Sequence, residues 1–266
     1  MQYKFLTDSS DEYIQDDHSV FVVVYGEDSE MSALNWDAIG EHFYEIGVDH
    51  GVLYQLDSNG KFVNGVAWNG LTNVTEKPSG AEAQKKWADN INYLTLYTAE
   101  EYASTVEAFT YPEEFEQNNG EATLITGAVI GQQPRKPFGL AYRTKIGNDV
   151  DGNQHGYKLH LVYNCRAAPS ERAYATINDN PDIVQFSWEI STTPVPVTGH
   201  EPTSVITIDS TDYTGDNAAK LAALETVLFG RNATTGTGAV DALVPRLPLP
   251  DEVYTILSTG QIPAAA

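Results

Sequence analysis

Cysteine is nearly absent: Cys165 stands alone in 266 residues. It has no partner for an intramolecular disulfide and no companion thiols for a zinc site. Inside the alternating run Tyr157–Cys165 it reads as a small apolar residue in or beside a strand, a pattern that fits intracellular synthesis. Basic residues are also scarce, 15 against 37 acids, for a net charge of −22. Such a chain repels phosphate backbones, which argues against tight or sequence-specific nucleic-acid binding. A solvated acidic surface is the plainest account of that charge. No long apolar run occurs. The six residues Val20–Tyr25 (VFVVVY) are far too short to span a bilayer and lack the basic segment and cleavage site of a signal peptide, so they read as a strand.

The motifs of catalysis are missing too. There is no G-x-S-x-G elbow, no Walker loop and no G-x-G-x-x-G, and the carboxylates are too numerous for any pair to be informative. Asp149-Val150-Asp151-Gly152-Asn153 alternates oxygen ligands, but counted as an EF-hand loop it places Gln154 where glycine belongs and His160 where the bidentate acid belongs. Turn chemistry explains the same residues. His155 and His160 suit neither a helical zinc pair nor a same-face strand pair. Glycosylation sequons at Asn73 and Asn232 mean little without a secretory signal. No catalytic residue, metal or cofactor is expected, and the chain reads as a non-enzyme.

What is present is the composition of a sheet protein. Hydrophobic residues make up 41% and aromatics 11%, with 15 tyrosines and four tryptophans, which argues against disorder and suits half-buried pleated faces. From Glu41 onward the dominant period is two. Strands are expected at His42–Val48, Val52–Leu56, Lys61–Trp68, Ile91–Tyr97, Thr105–Thr110, Ala122–Ile130, Phe138–Ile146, Tyr157–Tyr163, Ile183–Ile190 and Ser204–Ile208. Asp57–Gly60 and Pro78–Gly80 mark turns, Asn69-Gly70 is a two-residue hairpin signal, and Gly147–Asn153 forms the tip of a long hairpin. One helix is expected near 216–229, with Asp216 as N-cap, Leu221, Leu224 and Leu228 as its apolar stripe, and Gly230 as the C′ glycine. Pro245, Pro248 and Pro250 then precede a short apolar tail segment ending near Leu257. One mainly-β domain with a flanking helix results.

Charge is segregated along the chain. Residues 100–121 hold seven glutamates and no base, whereas residues 135–172 hold seven bases against three acids. Either the two are independently solvated faces, or one faces its opposite on a neighbouring subunit. The residues that would carry the second arrangement are Glu113, Glu114 and Glu116 on one side, and Arg135, Lys136, Arg143 and Lys145 on the other.

A collinear set of segments resembles the major tail proteins that form the tail tube of long-tailed bacteriophages. The longest is FGLAYRTKIGNDVDGNQHGYKLHLVY (138–163), followed by FSWEISTTPVPVTG (186–199). GVDHGVLY (47–54), GVAWNGLTNVTEKPSGAE (65–82), DNINYLTLY (89–97), AFTYPEEF (108–115), TGAVIGQQPRKPFGL (126–140) and RLPLPDEV (246–253) agree in the same order. The resemblance covers about Met31 to Val253. It implies a β-sandwich or barrel-like tail-tube fold, hexameric rings, and stacking of the rings into a tube in the virion tail, from subunits synthesised in the bacterial host cytoplasm. The implied partners are further copies of the chain, a tape-measure protein inside the tube, tail terminator and distal tail proteins at its ends, and phage DNA in transit without specific binding. No membrane is involved.

Family members typically begin near the match to Met31, so residues 1–30, with eight acids and one lysine, read as an acidic N-terminal extension or an upstream start. Residues 31–258 form the tail-tube domain and 259–266 a C-terminal tail. In tail-tube proteins a long loop or hairpin near residues 57–82 reaches the adjacent ring. This segment resembles it, and Phe62, Val66, Trp68, Leu71 and Val74 are its stacking candidates, unless the hairpin packs permanently on its own core. A monomeric carbohydrate-binding β-sandwich module is the alternative for the whole chain.

Overall fold

The structure, a computed structural model, describes residues 11–16, 19–24, 34, 36–177, 183–234 and 239–263. The chain divides into two compact units, Met1–His42 and Phe43–Ala266. In the first, β1 (Asp11–Asp16) and β2 (Ser19–Val24) form an antiparallel hairpin with Tyr13 registered against Val22 and Ile14 against Phe21. The apolar run expected to be a strand is therefore one. The expected boundary at Met31 falls outside the described residues.

The second unit begins with β3 (Tyr44–Leu56), a single strand where two were expected, and β4 (Phe62–Trp68). The turn between them is fixed by Asp57, whose Oδ1 accepts the backbone N–H groups of Asn59 and Lys61, both at 2.8 Å. Then come β5 (Leu71–Glu76), the two-residue β6 (Ser79–Gly80), β7 (Ala83–Ala88), β8 (Ile91–Tyr97), the two-residue β9 (Glu100–Glu101) and β10 (Ala103–Ala108). The remaining strands are β11 (Ala122–Ile125), β12 (Ala128–Ile130), β13 (Phe138–Asn148), β14 (Gly152–Ala167), β15 (Phe186–Ser191), β16 (Val195–Val197), β17 (His200–Thr203) and β18 (Val205–Asp209).

The main sheet runs β4-β3-β13-β14-β15-β10-β5, with β18 also paired to β14. Strand β14 serves two layers. Lys158–Val162 pair with β18, whereas Arg166 and Ala167 pair with β15. The sheet therefore folds over into a sandwich, with β4, β3, β13, β14 and β18 in one layer and β15, β10 and β5 in the other. This is the mainly-β sandwich expected.

The layer containing β3, β13 and β14 is apolar on both faces, and the period of two decides which side chain goes where. Leu53, Leu140, Tyr142 and Val162 point into the space between the layers, with Trp68, Phe115 and Trp188, and a register shift at Asn164 (φ +48°) brings Cys165 to the same side. Val52, Tyr54, Ala141, Leu159, Leu161 and Tyr163 point the other way, against two helices. These are α1 (Ala218–Phe229) and α2 (Pro250–Thr259). Buried phenols tie them down: Tyr54 donates to Leu228 O and Tyr163 to Pro248 O, each at 2.9 Å.

Further expectations need correcting: Ala122–Ile130, expected as one strand, is the antiparallel pair β11 and β12. Asn69-Gly70 makes a turn, with Gly70 at φ +78°, but not a hairpin, because β4 pairs with β3 and β5 with β10. The chain changes layers there, since Trp68 is drawn into the core between them. Helix α1 starts at Ala218, after a 3-10 turn at Gly215–Asn217, so Asp216 is not its N-cap, although Leu221, Leu224 and Leu228 are all buried as expected. The tail segment is a second helix, in which Pro250 occupies the first turn, a position that needs no N–H donor.

Candidate assembly surface

Within the Asp57–Glu82 segment, β4 and β5 are strands of the sandwich, whereas β6 pairs only with β9, outside the main sheet. Phe62 and Trp68 are buried, Trp68 packs tilted against Phe115 at 4.6 Å and edge-on against Trp188 at 5.6 Å, and its indole N–H donates to Thr110 O at 3.0 Å. Val66, Leu71 and Val74 are half-buried. Phe62 and Trp68 thus lie in the core of the chain.

The element that projects lies directly after it. Strands β7 and β8 pair only with each other, and neither makes extensive contact with another element. Asp89 and Asn90 close the hairpin with φ values of 51° and 64°, the left-handed pair that a tight two-residue turn demands. Register places Tyr97 opposite Ala83, Thr95 opposite Lys85, Leu96 opposite Gln84 and Leu94 opposite Lys86. Leu94 and Leu96 therefore share a face with Lys86, Tyr97 lies on the other face with Lys85, and the register shifts by one residue between Lys86 and Trp87. Trp87, Tyr93 and Tyr97 are 67%, 67% and 73% exposed, and Ile91, Leu94 and Leu96 are exposed as well. Contiguous apolar surface of this kind marks an interaction site. The signal in the sequence is the run INYLTLY, whose apolar residues Ile91, Tyr93, Leu94, Leu96 and Tyr97 do not alternate and so leave apolar groups on both faces of a strand.

A second exposed apolar hairpin is formed by β11 and β12, which turn at Gly127 (φ +82°). Leu124 and Ile125 are 66% and 67% exposed, with Val129 and Ile130 beside them. Glu113, Glu114, Glu116, Gln117, Thr123 and Lys136 line an adjoining groove of about 540 Å³. Phe115 is buried among Trp68, Phe138 and Trp188, and Asn118 donates to Lys136 O at 3.0 Å while accepting from Gln55 at the same distance. These anchors hold the segment down and leave Glu113 and Glu114 facing solvent.

The basic candidates are engaged within the chain. Arg143 forms a two-pronged pair with Asp49, Nε to Oδ1 at 2.7 Å and the guanidinium's other arm to Oδ2 at 3.1 Å, and Lys145 lies 4.0 Å from the same carboxylate. Burial works to raise the pKa of Asp49, but hydrogen bonds from Arg143 and His50 outweigh it and hold the carboxyl below its usual range. Arg135 donates to Asn119 Oδ1 and to Ala167 O, each at 3.2 Å. Lys136 donates to Gln117 Oε1 at 3.0 Å, and Arg172 meets Glu121 at 2.8 Å. The acidic and basic segments therefore meet inside one chain, at Glu121–Arg172 and along the groove that Lys136 shares with the glutamates.

Asp149–Asn153 is the tip of the β13–β14 hairpin, where Asn148 Oδ1 accepts the N–H of Val150 at 3.1 Å. No group of three or more His, Cys, Asp or Glu among the described residues is placed to hold a metal ion. Cys165 is buried, and desolvation pushes its thiol pKa up, which makes it a poor nucleophile. No described helix is long and apolar enough to cross a membrane.

No protein-family model matches the chain, and no curated protein sequence matches it. Among solved structures, a chain from an extracellular contractile injection system, the PVC sheath-tube complex in its extended state, is similar over 62% of this chain and 93% of that one, at 12% identity and a TM-score of 0.30. A chain from the anti-feeding prophage (AFP) baseplate is similar over 66% of this chain and 97% of that one, at 7% identity and a TM-score of 0.31.

Proposed function

We propose that the chain is a structural, non-catalytic subunit that assembles with copies of itself into rings, stacked into the hollow tube of a phage-like tail. The observation that carries this reading is the projecting β7–β8 hairpin, apolar on both faces and without a sheet to lie on. A two-stranded hairpin is marginal in water by itself, so its exposed aromatic and aliphatic groups call for a partner surface. The collinear resemblance to major tail proteins supplies the form of the assembly, with six subunits to a ring. Ring closure needs one heterologous interface, and axial stacking a second that does not close.

The net charge of −22 suits a conduit for genome delivery. Duplex DNA carries about one charge per 1.7 Å of axis and would be held by a basic wall through counterion release; an acidic wall lets it pass. A tape-measure protein would occupy the tube during assembly, with terminator and distal tail proteins at its ends.

Size-exclusion light scattering followed by electron microscopy tests the proposal. The purified chain should form stacked rings or tubes as its concentration rises. A variant in which a short Gly-Ser turn replaces residues 84–96 should keep its unfolding midpoint and lose polymerisation. A chain that stays monomeric at every concentration and binds glycans would overturn the proposal in favour of a carbohydrate-binding module.

A further inference from the structure

Among the residues whose side chains are described, two exposed apolar hairpins carry opposite electrostatic rims. On β7–β8 the charged side chains are Lys85, Lys86 and Asp89, and neither lysine pairs with a described acid. Beside β11–β12 stand Glu113 and Glu114, which likewise form no ion pair with a described residue, and Glu116, which accepts from Thr123 Oγ1 at 3.4 Å. The one base on that groove, Lys136, is occupied by Gln117 at 3.0 Å. Within one chain the two hairpins make no extensive contact, so each is uncovered.

We propose that the β7–β8 hairpin of one copy docks on the β11–β12 hairpin of a second copy, with Lys86, on the Leu94–Leu96 face, meeting Glu113 and Glu114, and Lys85 on the opposite face adding positive charge to the same rim. The inference rests on the self-assembly reading and names the surfaces that carry it. Charge selects the pairing. Two β7–β8 hairpins brought together would oppose lysine to lysine, and two β11–β12 hairpins glutamate to glutamate, whereas the mixed contact places opposite signs around apolar surface on both sides. The contact is head-to-tail, each copy offering one surface and receiving on the other, the geometry that propagates an assembly instead of ending it at a dimer. Leu94 and Leu96, which share a face with Lys86, are the apolar groups brought toward Leu124 and Ile125.

Two reversal variants and their mixture test this. Lys85→Glu with Lys86→Glu makes both surfaces acidic, and Glu113→Lys with Glu114→Lys makes both basic. Each alone should assemble about tenfold more slowly than the unmutated chain, or not at all, while keeping its thermal midpoint. Mixed in equal amounts they should co-assemble in alternation, because each then offers the surface the other lacks. If either variant alone polymerises like the unmutated chain, or if the folded variants fail to co-assemble, this pairing is wrong while self-assembly stands. If the unmutated chain itself does not polymerise, the self-assembly reading falls, and this pairing with it.

Discussion

At the scale of single residues, the same side chain has opposite meanings in different places. Trp188 is fully buried, with Phe115 at 5.1 Å and Tyr111 at 5.5 Å, and its indole N–H donates to Asn119 Oδ1 at 3.2 Å. Trp188→Ala should cost about 3–5 kcal/mol, a large share of a domain's stability, and lower the calorimetric midpoint accordingly. Trp87 touches little of its own subunit, so Trp87→Ala should change stability by about 0.5 kcal/mol or less and slow assembly instead. Equal losses of stability in the two would contradict that division. His160 supplies a pH dependence. It is buried on β14, stacked on Tyr142 at 4.6 Å, with Nε2 3.0 Å from Thr144 Oγ1. Desolvation lowers its pKa, helped by Lys158, and outweighs the upward pull of Glu76, 3.5 Å from Nδ1, and of Glu45. The folded value therefore lies below the unfolded one of about 6.5, and the unfolded chain takes up the proton first. This contribution is whole above about pH 6.5 and is lost as pH falls toward the folded value. Between about pH 7 and pH 5 the urea midpoint should fall more steeply for the natural chain than for His160→Gln. Parallel profiles would show that His160 is not the group responsible.

Among the elements, the edge of the sandwich is the part most exposed to mispairing, and β4 shows how it is closed. Gly65 N–H donates to Pro245 O at 2.9 Å, and Leu247 N–H donates to Phe62 O at 3.1 Å, so the segment before α2 covers the strand. A methyl group at Gly65 would lie 2.7 Å from both Pro245 Cβ and Tyr54 Cε1. Gly65→Ala should therefore push the cover away, cost about 1–3 kcal/mol by overpacking and expose an aggregation-prone edge. Urea titration with light scattering reads both effects, and a variant as stable and monodisperse as the natural chain would refute the account. How far the fold was legible in the sequence follows from these same contacts. Local signals sufficed for the strand at Ile91–Tyr97, the long β13–β14 hairpin and the Leu221–Leu228 stripe, because each repeats within a few residues. Asn69-Gly70 misled because a turn signal does not say which strands pair: Trp68 and Leu71 leave it for different layers. The second helix was hidden by its prolines, one of which begins it. Of the proposed assembly surface, the sequence offers Glu113, Glu114 and Glu116 as contact candidates, whereas Ile91–Tyr97 reads there only as a strand. That Phe62 and Trp68 are core while Trp87 and Tyr93 are free depends on which strand lies across from them, and that is set by contacts distant in the chain.

For the whole molecule, self-assembly sets two electrostatic effects against each other. A chain with 37 acids and 15 bases repels its copies over the full Debye length, whereas lysines meeting glutamates at a docking surface attract only at short range. Salt separates the two. At about 0.01 M the Debye length is roughly 30 Å, comparable to a small domain, and whole-molecule repulsion should hold copies apart. At about 0.15 M it falls to roughly 8 Å, which silences most of that repulsion while leaving close pairs effective. At about 1 M it is roughly 3 Å, and the pairs are screened too, so that the exposed tryptophan, tyrosines and leucines of β7–β8 must act alone. Assembly followed by sedimentation should therefore pass through a maximum at intermediate ionic strength. A rate that only rises with salt would mean that net charge governs alone and the lysine–glutamate contacts contribute nothing. A rate that only falls would mean that the acidic surface lies too far from every contact to matter. The maximum distinguishes an interface in which charge selects the partner and apolar area supplies the binding.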